Sequence, residues 1–259
     1  MVKGLYTAYT GMLNEQNRMD IMTNNLANAS TVGYKKEGST SQSFDDVLTV
    51  KIKDQLVGMR NAQKIGIKNP GVKIGENYTD YSQGSFRITG NTYDLALSGE
   101  GFFAIEFTNK AGETDTKYTR AGQFTLNKDG YLVTEEGDYV LDTQNRRIRL
   151  NTLIDSSITD DGTIYQNGQA MAKIQVTDFA DYDYLEKYGE TYYQPIQGAQ
   201  TIASNAQVKS GYLEMANVQI VSEMVNLISI TRAYESNQKV VQTIDDTLDV
   251  AVNQIGRVQ

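Results

Sequence analysis

Two apolar seams, one at each end of the chain, constrain its fold more than any other feature. Near the C-terminus Ile220, Leu227, Tyr234, Val241, Leu248 and Ile255 recur every seven residues, and near the N-terminus Leu5, Met12, Met19 and Leu26 do the same. A sustained seven-residue repeat keeps one face of a helix turned toward a partner helix. Ala8, Met22 and Ala29 widen the first seam, although Glu15 interrupts it. Ile230, Asn237, Ile244 and Ala251 add a second row to the other. The pattern predicts one helix over residues 3 to about 28 and another over residues 217 to 257, the second about 40 residues and roughly 60 Å long. The first weakens at Asn24, Asn25 and Asn28, whose side chains compete for backbone hydrogen bonds. Asn25, Asn28 and Asn237 are expected to make specific contacts, because a buried amide without a partner costs about 1–3 kcal/mol.

The stretch between the seams follows a different rule. Residues 34 to about 75 read as transitional, with Phe44, Val47, Leu48, Val50 and Ile52 as a short helix or strand and Asn69-Pro70-Gly71 as a turn. Residues 76 to about 209 read as β structure. Asp94 to Ser98 alternates, and Gly99 and Gly101 bracket a turn before Phe102-Phe103-Ala104-Ile105. Asp129-Gly130 and Asp161-Gly162 are hairpin turns, and Ile174 to Phe179 alternates again. Spacing of this kind predicts a compact antiparallel domain rather than βαβ units. The expected fold class is therefore α+β, with long N- and C-terminal helices forming a coiled-coil-like pair around a central antiparallel β-rich domain. The expected boundaries are 1–35 for an N-terminal assembly helix, 36–75 for a connecting segment, 76–209 for the β-rich domain and 210–259 for a C-terminal assembly helix.

Composition removes several functions. The chain has no Cys and no His, which excludes disulfides, thiolate nucleophiles and imidazole acid–base or metal chemistry. A net charge of -8 argues against nucleic-acid binding, which needs Lys and Arg against phosphate. No apolar run is long enough to span a bilayer. The N-terminus lacks the apolar core and small-residue cleavage site of a signal peptide, so export would use another route. No cofactor, metal or catalytic site is expected. Gly99-x-Gly101 lacks the third Gly and following helix of a dinucleotide loop. Asp181-Tyr182-Asp183-Tyr184-Leu185-Glu186 reads as a solvated acidic loop rather than a calcium site or a glycosidase carboxylate pair. Arg120 and Arg232 are expected in salt bridges between subunits, worth about 0–1 kcal/mol each if exposed.

Four separated stretches carry a family resemblance. Ala27-Asn28-Ala29-Ser30-Thr31-Val32-Gly33-Tyr34-Lys35 resembles the ANxxTxGYK signature of bacterial flagellar rod and hook proteins, following an opening helix that begins Gly4-Leu5-Tyr6. Thr89 to Phe103 resembles the family's TGNPLDLAIxGxGFF segment, with Thr92 and Tyr93 where Pro and Leu are usual. Tyr118-Thr119-Arg120-Ala121-Gly122-Gln123-Phe124 resembles its YTRxGxF. Gly211 to Val218 resembles GxLExSNV, with Ala216 in place of Ser, and Glu223 to Ile228 and Arg232 to Asn237 resemble the helix that follows. The resemblance covers nearly the whole chain. It implies a non-enzymatic structural subunit of the flagellar basal-body rod, with a hook-like or other axial subunit as the nearest alternative. It further implies passage through the flagellar type III export apparatus without a cleaved signal peptide, and helical polymerisation with itself and with other rod and hook proteins into a hollow, torque-transmitting shaft. The assembly-interface residues expected on this reading are Leu5, Met12, Met19, Leu26 and Asn28 at one end, and Ile220, Leu227, Tyr234, Asn237, Val241, Leu248 and Ile255 at the other. The alternative from another class is a carboxylate-based cell-wall hydrolase that would depend on Asp181.

Overall fold

The computed structural model describes residues 2–51, 63–109 and 112–255. It divides into two compact units. The first comprises residues 1–26, 37–80 and 220–259, and the second residues 27–36 and 81–219. N- and C-terminal helices around a central antiparallel β-rich region make the fold α+β.

In the first unit, α1 runs over Val2–Ala27 and α2 over Ile220–Val250, the latter continuing as a π-helical turn Ala251–Ile255. The helices touch at two glycines. A Cβ placed on Gly4 would lie 3.5 Å from Ile244, and one on Gly11 would lie 3.0 Å from the Asn237 amide. Moving seven residues forward along α1 thus moves seven residues back along α2, so the two run antiparallel. Along α2 the less exposed positions are Glu223, Leu227, Ile230, Thr231, Tyr234, Asn237, Val241, Ile244, Leu248 and Ala251, while the rest of its described surface faces solvent. Apart from Thr231 that is the 3-4 spacing of a helix with one inward stripe.

Two antiparallel ribbons complete this unit, Glu37–Ser43 with Val72–Thr79 and Val47–Lys51 with Gln63–Lys68. Strand structure thus begins at Glu37, well before residue 76, and Val47 to Val50 resolve as strand rather than helix. Ile52 lies outside the described residues, as do the side chains of Val50 and Ile255. The first ribbon is tied to α1 by the amide of Asn25, which donates to the Glu37 carbonyl at 2.7 Å and accepts the Glu37 N–H at 2.9 Å. Asn25 is thus satisfied by the backbone of its own chain's ribbon rather than across the helical seam, and Asn14 adds a second tie by accepting the Ser41 hydroxyl.

The second unit is built on a nine-stranded antiparallel sheet. Its long central strand Phe102–Thr108 pairs with Thr114–Thr119, Tyr139–Val140 and Val176–Phe179. Successive strand side chains point to opposite faces. Phe103 accordingly enters a core with Leu95, Leu97, Phe124 and Leu132, while Phe102 enters another with Tyr118, Phe179 and Tyr193. Both hairpin turns form: Gly130 donates to Asn127 and Gly162 to Thr159, each with the positive φ such turns require. Asp94 to Ser98 departs from the expected alternation. Leu95, Ala96 and Leu97 are all fully buried, covered on both faces.

Candidate functional site

The segment after α1 and the segment before α2 meet inside the second unit on one buried ion cluster. Lys35 Nζ donates to Glu214 Oε1 at 2.6 Å and to the Ser82 carbonyl at 2.8 Å, and Arg120 Nη1 donates to Glu214 Oε2 at 3.3 Å. The three side chains are 1, 0 and 3 % exposed for Lys35, Glu214 and Arg120. Taking charges out of water costs several kcal/mol per ion, so such a cluster persists only when geometry and extra hydrogen bonds repay that cost. The extra bonds are present. The Gly84 N–H donates to Glu214 Oε1 at 3.0 Å, and the Arg120 guanidinium lies 5.2 Å over the Phe102 ring. Arg120 Nε has no acceptor among the described residues. Arg120 therefore spends its charge inside its own subunit rather than on the exposed bridge between subunits expected of it. Arg232 is exposed on α2.

Backbone contacts extend the same node. The Gly33 N–H donates to the Glu214 carbonyl at 2.8 Å. Gly33 has φ +70, and a Cβ there would overlap the Ala121 nitrogen, so glycine is required by conformation and by space. Asn217 Oδ1 accepts the Lys36 N–H at 2.8 Å while its Nδ2 donates to Ser82. Gly211 donates to the Asp94 carbonyl and Leu95 to the Gly122 carbonyl. All four sequence motifs, far apart in the chain, thus converge. Sequence reasoning missed this cluster because charges some 80 to 180 residues apart leave no periodic trace. The only signal was one charged residue inside each of three motifs.

The predicted interface residues are placed as follows. Leu5, Met12, Met19 and Leu26 are half-buried on α1, beside the more deeply buried Ala8 and Ile21. Leu227, Tyr234, Asn237, Val241 and Leu248 are half-buried along the inward stripe of α2, and Ile220 is exposed at its start. Asn28 is buried, and its Oδ1 accepts the Thr31 hydroxyl at 3.1 Å to close the turn after α1. Glu223, one turn into α2, is buried with its Oε2 lacking a donor among the described residues, and the helix N-terminus favours a negative charge there.

A second polar cluster sits in the sheet. The Tyr192 hydroxyl lies 2.8 Å from Glu136 Oε2 and 2.9 Å from Asp138 Oδ2. One phenolic proton cannot serve both carboxylates. Burial raises the Asp138 carboxyl above its ordinary value, opposed by the Tyr192 hydrogen bond, with Glu136 adding to the rise. Burial likewise pushes the Tyr192 hydroxyl upward. Among the described residues no three His, Cys, Asp or Glu side chains could hold a metal, and no helix is long and apolar enough to cross a membrane.

Comparison with known proteins agrees with this architecture. The family model described as "Flagella basal body rod protein" matches residues 5–35. "Flagellar hook protein FlgE/F/G D1 domain" matches residues 96–168 and "Flagellar basal body rod FlgEFG protein C-terminal" matches residues 209–255. The chain is 34% identical to the flagellar basal-body rod protein FlgG of Bacillus subtilis, over 98% of this chain and 99% of that protein. It is 31% identical to the flagellar basal-body rod protein FlgF of Caulobacter vibrioides, over the full length of both. It is 30% identical to the flagellar hook-basal body complex protein FlhO of Bacillus subtilis, again over both full lengths. The matched segments contain Lys35, Arg120 and Glu214, and both terminal helices lie within the aligned length. The chain belongs to the flagellar basal-body rod protein family.

Proposed function

We propose that this chain is a structural subunit of the flagellar basal-body rod, which polymerises helically through its terminal helices into a hollow shaft carrying torque from motor to hook. The observation that carries this reading is the unfinished seam. Leu227, Tyr234, Val241 and Leu248 stay partly exposed beside α1 in a single copy, and among the described side chains of the two seam rows only Ile230 is sealed. A stripe of this length is closed by further helices, supplied by neighbouring copies. On this reading α1 and α2 form a coiled-coil-like pair. Leu5, Met12, Met19 and Leu26 work with Ile220, Leu227, Tyr234, Asn237, Val241, Leu248 and Ile255, while Asn28 fixes the end of α1. Residues 1–35 and 210–259 are then the assembly arms. The other partners are the remaining rod and hook proteins and the type III export apparatus, which passes the chain outward without a cleaved signal peptide. The ion cluster fits the role, since it ties together the two segments that lead into the helices. Leu227→Asp and Val241→Asp test the reading. Each abolishes swimming while the β unit keeps its melting transition, and normal swimming in both variants would contradict it.

A further inference from the structure

One face of the nine-stranded sheet carries polar side chains with no hydrogen-bond partner among the described residues. Tyr118 opposes Ala104 and Thr177 opposes Phe102 on the central strand, so the two share a face, and Gln175 joins them two residues before Thr177. The three form the floor of an open cleft of about 500 Å³, with Thr143, Asn145 and Thr201 on its exposed walls. Tyr118 and Thr177 are 8 and 9 % exposed, yet neither hydroxyl is hydrogen-bonded to any described residue. Gln175 Oε1 is buried without a donor among them. A buried polar group left without a partner costs about 1–3 kcal/mol. Three such groups on one cleft floor are therefore groups whose partner comes from outside the chain.

The lining selects the ligand. No Lys, Arg, Asp or Glu lines this cleft, so an ionic ligand would find no charge to balance its own. Hydroxyls both donate and accept, and an amide donates at one end and accepts at the other. Such a surface matches a ligand that carries hydroxyls and amides itself. Val176 and Ile202 add an apolar strip beside the polar floor. A sugar ring has the same division, polar around its edge and apolar on its C–H faces. A second cleft of about 500 Å³ shares Thr143, Val176 and Ala203 with the first and continues past Ser204, Asn205 and Gln207. The charges there are spent on each other, Lys173 Nζ with Asp161 at 3.7 Å and Lys209 Nζ with Asp160 at 2.6 Å. Each volume lies in the range of about 300–1,000 Å³ that holds a small ligand, so the two joined hold more than one ring. The geometry points to a binding site for a neutral oligosaccharide, with Tyr118, Gln175 and Thr177 as its hydrogen-bonding floor. The site lies within the β unit, apart from the terminal helices, and does not depend on the rod assignment.

The purified full-length chain is titrated with chitotetraose and with maltotetraose, and saturation transfer from protein to sugar is read by NMR. The expected result is transfer to at least one of the two. A Tyr118→Phe/Thr177→Val variant keeps the shape of the floor and removes both hydroxyls, so affinity should fall about tenfold. Its melting temperature should hold or rise, because the hydroxyls it loses have no partner in the unliganded chain. Thr201→Trp fills the cleft from an exposed wall and should abolish transfer; it decides alone if the floor variant does not fold. Tighter binding of chitotetraose marks an N-acetylated glycan, such as that of a cell wall, and tighter binding of maltotetraose a plain glucan; either supports the site. No transfer from the parent chain to either sugar overturns it. So does transfer that remains at full strength in the folded variants, which would place the binding elsewhere.

Discussion

At the scale of residues, Glu214 is the side chain on which most depends, since it pairs with two buried cations. Removing one partner of a buried ion pair leaves an uncompensated charge and costs about 3–5 kcal/mol. Glu214→Gln keeps the shape and loses the charge, so chemical denaturation followed by circular dichroism should show a loss of that order. A change below about 1 kcal/mol, the range of an exposed pair, would show that water reaches the cluster. Asp138 carries the opposite sign. Its folded carboxyl titrates above the ordinary value of 3.8, so the folded state holds a proton that the unfolded state has released. Stability from this group is therefore greatest below the ordinary carboxylate value and falls as pH rises through the raised one. Asp138→Asn, whose amide oxygen can still accept the Tyr192 hydroxyl, should raise the melting temperature at neutral pH. The gain should shrink toward zero below pH ~4. An equal gain at every pH would rule out titration as the cause.

At the scale of elements, the terminal helices were legible and the ribbons were not. A seven-residue apolar repeat survives in any context that buries one helix face, and α1 and α2 lie where that repeat put them, within about three residues at each start. The strand Glu37–Ser43 reads EGSTSQS, with no apolar residue to alternate, and its side chains range from half-buried to exposed. Its strand character comes from pairing with Val72–Thr79 and from Asn25 clamping Glu37, neither of which a local pattern reveals. Leu95–Ser98 misled in the other direction, because a strand covered on both faces need not alternate. The helices themselves should be the weakest elements of the isolated chain. A long helix supported by one partner and a half-covered seam is marginal in water. Amide hydrogen exchange on the purified monomer should show fast exchange around Leu227 and Val241 and strong protection around Phe102. Equal protection would mean that the helices are fully stable before assembly.

At the scale of the whole molecule, the motifs near Lys35, Arg120 and Glu214 could be recognised singly, through family resemblance, long before their convergence was visible. Physical reasoning from sequence supplied the seams, the β-rich insert and the chemistry excluded by the lack of Cys and His. It had no access to which distant charges would be buried together, because that follows from tertiary closure of the sheet. In a structural rod subunit that closure would hold the segments that lead into the two helices. The most direct test of that role is quantitative mass spectrometry of purified hook–basal bodies, normalised to hook protein. A rod subunit is enriched there at a fixed ratio across preparations. Absence of this chain from the particle, while hook and other rod proteins are recovered, would contradict the role.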